Sequence, residues 1–276
     1  MTLKEKLQEC RRTGKALLAT NFYNYETLSA VLQAAHATGS PVILQLTKSS
    51  IDYMGLGMAV DMGRRGLADY GLQGWIHLDH GGSVELVRRC LDAGFDSVMI
   101  DASEEPFEKN VETTAEVVRM AAPYGANVEA ELGFVAKLGQ QQAGGAAAGF
   151  TTAVDAARFV DSTGVDALAI AIGSAHGFYK EAPKLDIVRL GEIAAAVDIP
   201  LVLHGSSGIP GEMVQEAIRG GICKVNLATE IKNAFMKNLK GILLTEESID
   251  LRTVFPRAVE PVVELLTEKY RMIRNA

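Results

Sequence analysis

One rhythm constrains this 276-residue chain more than any other feature. Eight apolar runs of strand length recur along it: "ALLATNF" (16–22), "PVILQLT" (41–47), "GWIHLDHG" (74–81), "SVMIDAS" (97–103), "NVEAELGF" (127–134), "DALAIAIGSAHG" (166–177), "PLVLHGSSG" (200–208) and "KVNLATE" (224–230). Between them lie segments with helical spacing, among them "ETLSAVLQAAHATG", "SVELVRRCLDAG", "FEKNVETTAEVVRMAAPYG", "AVDAARFVDSTG" and "GEMVQEAIRGG", several closed by a glycine where a helix C-cap would sit. Nearly continuous apolar strands alternating with helices describe a parallel sheet covered on its outer side. Eight such units in roughly 250 residues predict an α/β fold of the closed (β/α)8 TIM barrel type, with an open doubly wound sheet as the alternative. No linker or change of composition divides the chain, so residues 1–276 are expected to form one barrel domain. Its one low-complexity stretch, "GQQQAGGAAAGF" (139–150), follows the fifth run, and 135–150 reads as a mobile active-site loop.

In such a barrel, catalytic groups collect at the C-terminal ends of the strands. The polar residues of this sequence fall there. The third run ends in Asp79 and His80, the fourth reaches Asp101, the fifth carries Glu129 and Glu131, the sixth ends with His176, the seventh with His204, and the eighth carries Asn226 and Thr229. Of five histidines, three occur as His-Gly pairs: His80-Gly81, His176-Gly177 and His204-Gly205. A glycine there lets the backbone turn sharply or approach a ligand, and leaves an N–H free to meet an anion. Three neutral imidazoles at a barrel mouth form the protein ligand set of a catalytic Zn2+ site, with a fourth position left for water or substrate. Asp79, beside one of them, can serve as acid or base. Asp101 and Glu131 occupy places otherwise filled by apolar residues, where unpaired charge is costly, and so are read as supporting the ligands or as alternative metal contacts. His36 reads as a structural group at a helix C-terminus, and His77 as a core or supporting residue.

"LHGSSGIPGEM" and "KVNLATEIKNAF" each place glycines, hydroxyls or amides just before a helix. Together they suit a phosphate held by the seventh and eighth loops, a recurrent site in this fold. The chain's formal net charge is -7, with no basic block longer than "RR". That balance argues against nucleic acid or an anionic membrane as partner, so an anionic substrate must be held locally. The three cysteines are scattered without CxxC spacing, which indicates neither a disulfide framework nor a cysteine zinc site and suits a reducing, cytoplasmic setting. The first twenty residues lack a signal-like apolar core, and no uncharged run is long enough to span a bilayer.

"HLDHG", "DALAIAIGSAHGFY", "PLVLHGSSGIP" and "KVNLATEIK" together resemble the class II, metal-dependent ketose-bisphosphate aldolases, the family of fructose- and tagatose-bisphosphate aldolases. The similarity runs almost the whole length. It implies a (β/α)8 barrel, zinc held by His80, His176 and His204, and Asp79 exchanging a proton with the C4 hydroxyl of a phosphorylated sugar. It further implies that Gly177, Gly205, Ser207, Asn226 and Thr229 cradle the phosphate of dihydroxyacetone phosphate, with a monovalent cation (Na+ or K+) nearby, and that Lys232 meets the far phosphate. After "VEAELG", members usually have a glycine-rich loop with acidic residues, one of which handles the proton at C1 of the three-carbon fragment; this chain reads "FVAKLGQQQAGG" instead. A substrate with another anionic far end, such as a 6-deoxy-6-sulfofructose 1-phosphate, is therefore an alternative to a bisphosphate.

Other routes fit less well. A Schiff-base aldolase needs a lysine at the reacting end of the barrel, and Lys48, after the second run, is the only strand-end candidate. A barrel zinc hydrolase would want a His-x-His pair on the first strand, and "ALLATNFYN" has none. A noncatalytic accessory barrel has no need to keep Asp79 and all three histidines. The C-terminal "AVEPVVELLTEKYRMI" has apolar helical spacing that suits packing on a neighbouring copy or equally on its own barrel, and a homo-oligomer, dimer or tetramer, is expected.

Overall fold

The computed structural model describes residues 1–135, 149–179 and 183–276. Eight parallel strands close into a barrel in sequence order, β1 (Leu17–Asn21), β2 (Val42–Leu46), β3 (Gly74–Gly81), β4 (Ser97–Ile100), β5 (Asn127–Leu132), β6 (Ala167–Ile170), β7 (Leu201–Leu203) and β8 (Ile222–Leu227). Leu17 to Thr20 of β1 pair with Lys224 to Leu227 of β8, which closes the ring. The (β/α)8 expectation holds, and the open sheet is set aside. Each strand falls within or against one of the apolar runs, and all are buried because the sheet is covered on both faces.

Side-chain alternation divides the core in two. Leu18, Leu44, Ile76, Leu78, Val98, Val128 and Leu168 point outwards into a cluster shared with the helices. Ala19, Ile43, Trp75, Ala167, Ala169 and Val202 point inwards. α1 (Leu3–Thr13) packs Leu3, Leu7 and Cys10 against this inner cluster at the N-terminal ends of the strands. A capping box between Thr2 and Glu5 starts that helix, and Gly14, with φ 63°, ends it in the left-handed conformation.

The outer layer comprises α2 (Tyr25–Thr38), α3 (Lys48–Met54), α4 (Leu56–Asp69), α5 (Val84–Asp92), α6 (Phe107–Ala121), α7 (Ala153–Thr163), α8 (Ile187–Ala196), α9 (Gly211–Arg219), α10 (Thr229–Leu243) and α11 (Leu251–Arg274). Gly39 and Gly164 are left-handed C-caps of α2 and α7, as the glycine punctuation predicts, whereas α9 ends on Gly220 in the right-handed region. α11 lays its apolar face, including Val262, Leu266 and Tyr270, on the chain's own barrel beside α2 and α10. That face is thereby covered, and it supplies no argument for a homo-oligomer. Among the described residues, no helix is long and apolar enough to cross a membrane. Residues 136–148 of the expected loop lie outside the described residues; Val135 is buried at its start, and Gly149 and Phe150 follow it.

Candidate active site

All the candidate residues converge at the C-terminal ends of the strands. A cavity of about 700 Å³ opens there, lined by the metal, proton-transfer and anion-binding candidates except His204, which lies fully buried behind it together with Glu129.

β3 brings in Asp79 and His80. The strand pairs regularly with β4 up to Leu78, then shifts register before Gly81, and His80 takes a φ of 51°, the only non-glycine residue with positive φ among those described. Non-glycine residues adopt this region at a cost and cluster at functional sites when they do. Gly81 is needed for the same bend, because a β-carbon there would lie 2.4 Å from the Met99 carbonyl oxygen.

Asp79 is held from two sides. Asn21 Nδ2 donates to its Oδ2 at 2.8 Å and Asn226 Nδ2 to its Oδ1 at 3.3 Å, while Gln45 Nε2 donates to Asn21 Oδ1 at 3.0 Å. Burial would raise the Asp79 pKa, but positive charge at His80, His204 and Lys224 and the Asn21 amide hold it below the ordinary carboxylate value. The carboxylate therefore stays ionised and fixed in orientation.

Each histidine is oriented by its neighbours. His80 Nδ1 donates to Asp101 Oδ2 at 2.6 Å, and Asp101 Oδ1 in turn accepts from the Ser103 N–H and hydroxyl at 3.2 and 2.7 Å. Asp101 thus fixes the His80 tautomer that leaves Nε2 free. Despite its burial, the hydrogen bond and charge of His80 and the hydrogen bonds from Ser103 keep the Asp101 carboxyl well below its usual range. His204 Nε2 donates to Glu129 Oε1 at 3.0 Å. Burial opposes a proton on His204, yet Glu129 and Glu131 outweigh it and lift its pKa to about 10. His176, by contrast, is pushed down to about 3 by burial and by the charges of His80 and His204.

His204 Nδ1 and Glu131 Oε2 stand 3.2 Å apart. Both are buried and neither has a hydrogen-bond partner. One donor atom from each of His80, Glu131, His176 and His204 fits within 4.8 Å of the others. The raised His204 pKa reports the same need: the buried pair of His204 and Glu131 is costly unless something positive, a proton or a metal ion, sits between the two atoms. Imidazole nitrogens with a carboxylate oxygen form a donor set that suits a divalent zinc ion. The residues present therefore fit the metal expected from the sequence, with Glu131 as a possible fourth donor and Asp101 as the group that holds His80.

The anion-binding candidates sit across the same cavity. Gly177 has φ 108° and Gly205 φ 65°. Ser207 Oγ accepts from the Glu230 N–H at 3.3 Å, and the first turn of α10, beginning at Thr229, has no other side-chain cap. A helix N-terminus that Ser207 caps at one N–H only, beside glycine-bearing loops, offers its remaining N–H groups to an anion. Asn226 lines the cavity too, although its amide N–H is directed at Asp79. Lys232 reaches the cavity with Nζ 5.3 Å from the Tyr23 ring centre. Lys48 is drawn aside into an exposed ion pair with Asp52 and does not line the cavity. His36 is exposed at the end of α2 with Nδ1 3.1 Å from the Tyr70 carbonyl oxygen, and it does not line the cavity.

Four participants escape sequence reasoning. Asn21, Gln45 and Lys224 stand singly inside apolar strands with no spacing that marks them, and Tyr179 lies in a loop. The Tyr179 hydroxyl accepts from Ala175 N at 2.6 Å and donates to Gly205 O at 2.8 Å, tying the β6 loop to the β7 loop.

Known proteins share this fold over nearly the whole chain. The YdjI aldolase from Escherichia coli K12 is 31% identical, with a TM-score of 0.87 over 98% of this chain and 96% of that one. A candidate fructose-1,6-bisphosphate aldolase from Coccidioides immitis is 27% identical, with a TM-score of 0.88 over 99% of this chain and 96% of its own. Fructose-bisphosphate aldolase from Campylobacter jejuni, 21% identical over 99% of this chain and 93% of its own, shares the fold with a TM-score of 0.85. The family description "Fructose-bisphosphate aldolase class-II" matches residues 1–276. The chain belongs to the class II fructose-bisphosphate aldolase family and is an aldolase, a carbon–carbon lyase.

Proposed function

We propose that this aldolase is zinc-dependent and reversibly cleaves a ketose 1,6-bisphosphate, or a ketose 1-phosphate with another anionic far end, into dihydroxyacetone phosphate and an aldehyde. The observation that carries the metal is the orphaned pair His204 Nδ1 and Glu131 Oε2, buried beside His80 and His176. Held by the three histidines, zinc would supply a Lewis acid that stabilises the enediolate left on the three-carbon fragment.

Water supplies the proton that turns this enediolate into dihydroxyacetone phosphate, and the chain's own residues bind and orient the sugar and move the proton at C4. Asp79 takes the proton from the C4 hydroxyl in cleavage and returns it to the aldehyde oxygen in condensation. Asn21 and Asn226 aim its carboxylate and keep it from rotating away. Asp101 holds His80 through its Nδ1–H. Gly177, Gly205, Ser207 and Thr229 bind the phosphate of the three-carbon fragment through backbone N–H groups and hydroxyls, with Asn226 at their edge and Na+ or K+ as a companion. Lys232 meets the anionic far end, its ammonium supported by the Tyr23 ring.

The test is dihydroxyacetone phosphate release from fructose and tagatose bisphosphates and a 6-sulfo analogue, with chelator and with zinc added back. Release that falls with chelator and returns with zinc supports the reading, and the panel names the sugar. Turnover that persists in protein shown to contain no metal overturns it.

A further inference from the structure

Beneath the cavity, the barrel interior holds a charge that the proposed chemistry does not use. Lys224 is completely buried in β8. Between β7 and β8 the register skips from Leu201 opposite Ile222 to Val202 opposite Lys224, and this irregularity leaves both Cys223 and Lys224 facing the interior. The ammonium has two neighbours of opposite kind. It donates to Glu129 Oε2 at 2.8 Å, and its Nζ lies 3.3 Å from His77 Nε2. His77 is able to accept there because its other nitrogen, Nδ1, lies 2.7 Å from Ser97 Oγ, and because burial and the Lys224 charge hold its pKa down to about 3.

Glu129 continues the chain upwards. Its second oxygen, Oε1, accepts from His204 Nε2 at 3.0 Å, and the far side of that ring presents Nδ1, the unpartnered atom facing Glu131. A straight succession of contacts therefore runs from Lys224 to the candidate metal position. The opposite order would not work: a Glu129 carboxylate turned away from His204 would free Nε2 to lose its hydrogen and Nδ1 to gain it, so that the metal would meet an N–H. Asp101 does for His80 at the mouth what Glu129 does for His204 within the barrel, but Asp101 is oriented by Ser103, whereas Glu129 has a lysine.

We propose that Lys224 is a positioning residue for the metal site: by binding Glu129 Oε2 it keeps Oε1 on His204 Nε2–H and so fixes the His204 tautomer that offers Nδ1 as a ligand. This rests on the reading that His204 holds zinc. Lys224 does not line the cavity and sits beneath Glu129 and His77, so it is not a Schiff-base lysine.

The experiment compares zinc dissociation constants, by competition with a chromophoric chelator, for the wild type, Lys224→Met, Glu129→Gln and the double variant. Ile43→Ala, which empties part of the buried inner cluster away from this chain of contacts, controls for lost stability. Lys224→Met is expected to weaken zinc binding by about 10- to 100-fold, the range found when a group orienting a metal ligand is removed. Because Lys224 acts through Glu129, the double variant should lose no more than the weaker-binding single variant. It also carries no uncompensated charge, so the comparison stands even if Lys224→Met folds poorly. Wild-type zinc affinity in Lys224→Met, additive losses in the double variant, or an equal loss in Ile43→Ala would each overturn the inference. Absence of zinc binding by the wild type would instead overturn the proposed function on which it rests.

Discussion

Gly205 and Ala175 meet so closely that a β-carbon on the glycine would lie 2.4 Å from the alanine carbonyl oxygen and 3.1 Å from its nitrogen. The two residues join the loops that carry His204 and His176. Gly205→Ala must push those loops apart, and its φ of 65° adds strain of about 1–3 kcal/mol for any other residue. Since a displacement of about 1 Å at a reacting site costs on the order of 100-fold in rate, kcat/KM should fall at least that far. Steady-state kinetics beside a melting curve will check it; near-wild-type kinetics would mean that the loops tolerate separation.

Tyr179 bridges the same two loops from the outside through its hydroxyl. Tyr179→Phe leaves the ring in place and removes both hydrogen bonds, each worth about 1 kcal/mol. KM for the phosphorylated substrate should rise about tenfold, with kcat changed less, because the loops bear the glycines proposed to bind the anion. A fall confined to kcat would point to a different role.

Asp79 and its holders should separate chemistry from orientation. Asp79→Asn preserves shape while removing the proposed base, so zinc content and melting temperature should stay near wild type as kcat drops by about 10²–10⁴-fold. Asn21→Ala, which removes the 2.8 Å hydrogen bond, should cost less than Asp79→Asn. Metal analysis and kinetics on both proteins test this, and unchanged turnover in Asp79→Asn would end the proton-transfer role.

Zinc should stabilise the fold as well as the reaction. At free zinc about 100-fold above its dissociation constant, the native state gains about 2.7 kcal/mol. Calorimetry with chelator and then with zinc should show the melting temperature rise by several degrees, and His176→Ala should remove most of that rise.

Stability and chemistry should also come apart at Phe159, fully buried in α7 and packed edge-on against Phe107, with ring centres 6.0 Å apart. Phe159→Ala should destabilise by about 3–5 kcal/mol. Denaturant unfolding will measure that loss, and kcat below the melting range should remain near wild type.

The barrel is legible in the sequence because its strands are buried on both faces, which writes each one as an uninterrupted apolar run. The stretch 48–69 is harder. α3 and α4 occupy it, yet its glycines at 55, 57, 63 and 66 read as poor helix material. Two of them have a tertiary reason: a β-carbon on Gly66 would lie 2.4 Å from Leu32 Cδ1, and one on Gly63 would lie 3.1 Å from Ile76 Cδ1. Close packing of α4 on α2 and β3 overrides local propensity there.

The histidines and Asp79 stand out because each is a polar interruption at the end of an apolar run. Their partners do not. Asn21 finds Asp79 at a separation of 58 residues, and Lys224 finds Glu129 at 95, distances that only the closed ring brings together. Lys48 shows the converse: a strand-end position alone made it a candidate, and a local pairing with Asp52 four residues on removes it from the cavity.

The reversed backbone at His80 has a further consequence. Successive residues of an ordinary strand face opposite sides of the sheet, so Asp79 and His80 should be divided between the barrel interior and the helices. The left-handed step turns the second inward after the first, and both open on one cavity, with His80 Nε2 4.0 Å from Asp79 Oδ1. The proposed proton carrier and one proposed metal donor are thus joined by a single peptide unit, which fixes their Cα atoms about 3.8 Å apart, while Asn21, Asn226 and Asp101 set where the two side chains point.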